Sequence, residues 1–136
     1  MSAEENKAVV RRYFDEFHSG RQLAIAPEIF VDPESALHAA QMLTTAFPDY
    51  QITVDAQVAE GDMVATVWEA SGTHQGEWHS PLGPVAATGR VVTWTGTTTL
   101  RLANGKIADV VGTNWDHLGI LQQIGVLPAI APRSGA

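Results

Sequence analysis

Apolar positions along the chain follow a helical period first and a period of two afterwards. In EENKAVVRRYFDEFH, residues 4–18, Val9, Val10, Tyr13, Phe14 and Phe17 fall on one helical stripe. Acidic residues open this stretch and His18 closes it, which suits the helix dipole, and Ser19-Gly20 supplies a stop. A short second helix is expected over residues 23–30, followed by a turn at Asp32-Pro33. Proline is tolerated in a first helical turn, so residues 34–47 read as a third helix. Pro48 ends it, because the residue before a proline avoids helical angles.

Beyond Tyr50 the alternation becomes that of strands. YQITVDAQVAEGDMVATVWEASGTH reads as two strands joined by a turn at Glu60-Gly61-Asp62. Residues 81–89, with two prolines and two glycines, read as a loop. RVVTWTGTTTLRL is a long β-branched strand, residues 103–106 form a hairpin signal, and IADVVGTNWD is the strand that returns. A short helix over residues 117–124 stops at Gly125, and residues 129–136 read as a tail outside a single domain of residues 1–128. Helices followed by a run of antiparallel strands give an α+β fold. The helices should cover one face of a curved antiparallel sheet, and the cone so formed leaves an interior able to hold a small molecule.

Strict alternation then assigns faces. Val64, Thr66, Trp68, Ala70, Gly72 and His74 share one, and Val92, Trp94, Gly96, Thr98, Leu100 and Leu102 share another. The opposite row, Thr93, Thr95, Thr97, Thr99 and Arg101, reads as solvated or as a subunit contact. In the last strand alternation groups Val110, Gly112, Asn114 and Asp116. If Asp116 points inward it joins Trp68, Trp94, His74 and Asn114 in one cavity. A carboxyl group among indoles loses hydration, so its pKa would rise and it could exchange protons near neutrality. The alternative is that Asp116 only caps the helix that follows. His74 is either a hydrogen-bonded structural residue or a substrate-orienting one. Tyr13 and Phe17, on the stripe of the first helix, would face whatever cavity exists.

Composition narrows the function. A formal net charge of −7 disfavours nucleic acid and anionic membranes as partners. With no cysteine, thiolate metal sites and thiol nucleophiles are excluded. The histidines show no metal-ligand spacing, so no metal is expected. The chain carries no apolar run of about 20 residues and no basic leader, and a cytoplasmic location is expected.

Several stretches carry a resemblance: GTHQGE at residues 72–77, TGR at 88–90, NGKI at 104–107 and WDHLGILQQIG at 115–125. With them, residues 5–127 resemble the SnoaL-like polyketide cyclases, which share a cone-shaped fold with nuclear transport factor two and ketosteroid isomerase. The resemblance implies ring closure of a polyketide by intramolecular aldol chemistry without metal or organic cofactor, and an acid/base Asp at the position of Asp116. His74 and Asn114 would orient the substrate or stabilise an enolate, and Trp68 and Trp94 would stack on it. It also implies a homodimer paired through the sheet. IFVDPESALHAAQ departs from the family pattern, running into the third helix without the longer His-bearing loop that roofs the pocket. An isomerase-like alternative would use Tyr13 as hydrogen-bond donor and Asp32 as base, with Thr98 where a second acidic donor would stand. An epoxide-hydrolase-like arrangement would need Arg101 inward. A non-catalytic binding domain is the remaining reading.

Overall fold

The computed structural model describes residues 2–128; the tail expected over residues 129–136 lies outside the described residues. Ser2 opens α1 (Ala3–Arg12) with a capping box: its hydroxyl accepts from the Glu5 amide at 3.1 Å, and the Glu5 carboxylate accepts from the Ser2 amide at 3.2 Å. The expected single helix is not uniform. From Tyr13 to Ser19 the coil widens into a π-helix. A 3₁₀ turn (Leu23–Ile25) leads into α2 (Ala26–Ile29), and α3 spans Pro33–Ala46. Asp32 caps α3, receiving the Ser35 amide at 3.3 Å and the Ser35 hydroxyl at 2.7 Å.

The main sheet runs in the order β1 (Gln51–Glu60), β2 (Met63–Thr73), β5 (Val91–Ala103), β6 (Lys106–Trp115), all antiparallel. Within the stretch expected as a loop, β4 (Gly83–Val85) pairs with β3 (Trp78–Ser80) as a small hairpin. Ser80 fixes its tip by donating to the Gly83 carbonyl at 2.6 Å, and Trp78 anchors its base against Phe47. At Gly76, where the chain enters this hairpin, a Cβ would overlap the Thr45 carbonyl, so only glycine lets the hairpin lie so close to the end of α3. The final helix, α4 (His117–Gln123), packs along β5, where the Gln123 amide group bonds both the N–H and the carbonyl of Thr93.

Three bulges curve the sheet. Asp55 is the extra residue of β1, and Ala108 and Val111 are extra residues of β6. By contrast, β2 and β5 pair without interruption from Met63↔Arg101 to Thr73↔Val91. Their inner faces carry the core: Val64, Thr66, Trp68, Val92, Trp94, Thr98 and Leu100 are all buried, under Val10, Phe14, Phe17 and Ile29 of the helices. No helix among the described residues is long and apolar enough to cross a membrane.

Candidate functional site

The concave face of the sheet and the helices above it enclose a cavity of about 310 Å³. Trp68 and Thr98 reach it from the two central strands, Val110, Thr113 and Trp115 from β6, and Met42 and Leu43 from α3. Trp78 and His79 of the hairpin close one side. A second lobe, about 320 Å³, opens beside Asp32, Ser35, Phe30, Ile107 and Asp109. Tyr13, His18, Ala39 and Val110 line both lobes, so the two meet at the Tyr13–His18 pair.

The walls are aromatic and ordered by stacking. Trp115 stands edge-on to Trp68 at 5.7 Å and is stacked on Trp94 at 5.5 Å. His117 lies parallel to both Trp115, at 5.8 Å, and Trp78, at 6.1 Å. The polar atoms inside are few and mostly satisfied. The Trp68 indole donates to the Thr98 hydroxyl at 2.9 Å, and that hydroxyl is 3.0 Å from the Thr113 hydroxyl. Gly96 makes room for this arrangement: a Cβ there would overlap the Trp68 ring.

The one imidazole at the waist of the cavity is His18. It is buried, its Nδ1 lies 2.7 Å from the Tyr50 hydroxyl, and burial, aided by the Arg21 charge, lowers its pKa to about 4. Burial also raises the Tyr13 phenol, with a further contribution from Tyr50, so Tyr13 stays protonated as a hydrogen-bond donor.

The bulge at Val111 changes which residues share this site. Alternation through β6 would put Val110, Gly112, Asn114 and Asp116 on one face. The extra residue reverses parity, so that Val110, Thr113 and Trp115 line the cavity, while Asn114 and Asp116 emerge on the outer side of the sheet. Asp116 is exposed and caps α4, accepting the Gly119 amide at 2.9 Å. The expected grouping of Asp116 and Asn114 with Trp68 is therefore corrected: these two side chains do not enter the cavity.

His74 is also outside it. Its Nδ1 is held by Thr88, 3.0 Å from the hydroxyl and 3.3 Å from the amide, and burial holds its pKa below the ordinary value. The GTHQGE and TGR stretches thus meet at the foot of the hairpin. Trp94 lies behind Trp115, and Phe17 is core, packed edge-on to Phe30 at 5.1 Å. Asp32 borders the second lobe, but both its oxygens are engaged by Ser35, which holds its carboxyl below the usual range. Arg101 stays on the outer surface between Asp62 and Asp109. The sequence reading missed His18, Trp78, Trp115 and Thr113 as cavity residues. Only the tight cluster Tyr13, Phe14, Phe17 and His18 offered a signal for the first of these. Among the described residues no three His, Asp or Glu side chains are arranged to hold a metal ion.

A sequence model of SnoaL-like polyketide cyclases matches residues 8–124. No curated protein matches the chain. Among solved structures, a Jannaschia species protein suggested to be a SnoaL-like polyketide cyclase is 22% identical, with a TM-score of 0.77 over 93% of this chain and 95% of that one. AclR from Streptomyces galilaeus, a suggested hydroxylase, is 26% identical, with a TM-score of 0.72 over 96% of this chain and 87% of that one. IdmH from Streptomyces antibioticus, a suggested polyketide cyclase, is 27% identical, with a TM-score of 0.70 over 88% of this chain and 98% of that one.

Proposed function

Because the chain belongs to the SnoaL-like polyketide cyclase family, we propose that its cavity binds a bulky, mostly apolar, carbonyl-bearing molecule and rearranges it by proton transfer, as in an intramolecular aldol cyclisation. One observation carries this reading: an interior cavity walled by Trp68, Trp78 and Trp115 that offers a protonated phenol, Tyr13, and an uncharged imidazole, His18, at its waist. Flat indole walls suit a flat conjugated substrate. A phenol held in its neutral form can donate to an enolate oxygen as charge develops there.

An isomerase that used Asp32 as base is less well supported. The Ser35 amide and hydroxyl stabilise the Asp32 carboxylate and so weaken it as a proton acceptor. A binding domain without turnover would use the same walls but would not depend on Tyr13 or His18 for chemistry.

The test is a titration of tryptophan fluorescence with a hydroxyanthraquinone, a flat tricyclic carbonyl compound. Quenching that saturates, and that weakens in Trp68→Leu, supports the reading. No quenching, or quenching indifferent to Trp68, overturns it.

The outer face of the sheet would seat a second copy of the chain. Thr93, Thr95, Thr97 and Thr99 run along it beside Val67, which is 44% exposed, and such a mildly polar, β-branched face is suited to association.

A further inference from the structure

We infer that His18 is the proton acceptor of this cavity, presenting Nε2 to the substrate, and that Tyr50 is the residue that positions it. The inference rests on the reading that the cavity takes a carbonyl compound, and adds which nitrogen does the chemistry and what fixes it.

The placement comes first. His18 is 6% exposed and lies where the two lobes join, so anything spanning them must pass its ring. Its Nδ1 is engaged by the Tyr50 hydroxyl at 2.7 Å, whereas Nε2 has no hydrogen-bond partner among the described residues.

In this assignment the Tyr50 oxygen accepts from His18, so Nδ1 carries the ring proton and Nε2 carries the free lone pair.

Arg21 holds the pair in place. Its guanidinium lies 3.8 Å above the Tyr50 ring and donates to the carbonyls of His18 at 2.6 Å, Tyr50 at 2.6 Å and Pro48 at 3.0 Å. Its own backbone is left-handed, with φ of 55°, a conformation that costs a non-glycine residue energy and is kept where surroundings enforce it. The charge itself stays outside the cavity wall, on backbone carbonyls.

The step balances without a further reagent. Nε2 takes a proton from the carbon next to a carbonyl, and the C–H electron pair moves into the enolate, whose oxygen receives a hydrogen bond from Tyr13. The enolate carbon attacks a second carbonyl of the same molecule and forms the new C–C bond. The resulting alkoxide takes back the proton from Nε2.

Nitrobenzisoxazole tests the base alone. Loss of its ring C–H proton to a base breaks the N–O bond and releases a coloured cyanonitrophenolate, so any desolvated base in an apolar cavity reports itself. Binding is read separately by tryptophan quenching. The wild type should bind and open the probe, and His18→Gln should bind it but open it roughly 10²–10⁴-fold more slowly, the usual contribution of a general base. Ring ¹⁵N NMR of the wild type should show one His18 tautomer, protonated at Nδ1. In Tyr50→Phe, which keeps the ring under Arg21, that tautomer should give way to a mixture and ring opening should fall with it. A bound probe opened equally fast by His18→Gln overturns the role of His18, and a wild-type ring protonated at Nε2 overturns that of Tyr50 without relying on any variant. A probe that does not bind at all overturns the reading of the cavity instead.

Discussion

The rings of Tyr13 and His18 meet edge-on with centroids 4.5 Å apart, although the two residues stand five positions apart in the sequence. In an α-helix, with about 3.6 residues per turn, positions i and i+5 diverge by roughly 140°. The π-helix over Tyr13–Ser19 has a wider turn that superposes them, and such widened turns are frequent at functional sites. If the pair works as one unit, Tyr13→Phe should leave the fold intact and still bind a ketone. It should lower exchange of the α-protons of tetralone in heavy water by roughly 10²-fold, the usual effect of losing one oxyanion donor. NMR-detected exchange at the wild-type rate would contradict this.

Acid should weaken the fold through His18. Its pKa of about 4 lies below the unfolded value of about 6.5, so the unfolded chain binds the extra proton first as pH falls. The contribution is therefore complete above about pH 6.5 and is lost progressively towards pH 4. It amounts to about 3 kcal/mol for a group this buried. Urea unfolding of the wild type across that range should show the loss, and His18→Gln should flatten it.

Asp116→Asn separates capping from chemistry. Asn caps a helix about as well as Asp, so thermal stability should change little. With the carboxylate on the outer side of the sheet, opening of nitrobenzisoxazole should be unchanged as well. A loss of roughly 10²-fold or more would return the acid/base role to Asp116, as the family resemblance implies.

Gly96→Ala should be costly despite its small size. The added methyl would press the Trp68 indole, whose N–H bonds Thr98, into the cavity. Overpacking of this kind costs about 1–3 kcal/mol. Thermal melting should show the destabilisation, and the quenching titration with hydroxyanthraquinone should show weakened binding.

A partner on the outer sheet face predicts the effect of charge there. Light scattering of the wild type should give the mass of two chains, and Val67→Arg, on an exposed position beside the threonine row, should shift it to one. A wild type of single-chain mass would rule the pairing out.

The sequence by itself determined the order of the long strands and of the helices that precede and follow them, though not the β3–β4 hairpin, and the faces of β2 and β5. Val64, Thr66 and Trp68 point inward with Val92, Trp94 and Thr98 because those two strands pair without a single irregularity, so a period of two survives along their whole length. The capping role of Asp116 was equally legible, since an N-cap depends only on its neighbours in sequence. Tertiary structure decided the site. Whether β6 bulges at Ala108 and Val111 depends on its pairing with β5 and on the curvature of the whole sheet, and one inserted residue turns Asp116 and Asn114 away while turning Thr113 and Trp115 in. The π-helix depends likewise on the packing above the sheet, and it brings His18 to Tyr13 and Tyr50. Alternation and helical period are local rules, and each fails where a long-range contact makes one extra residue per turn or per strand the better-packed arrangement.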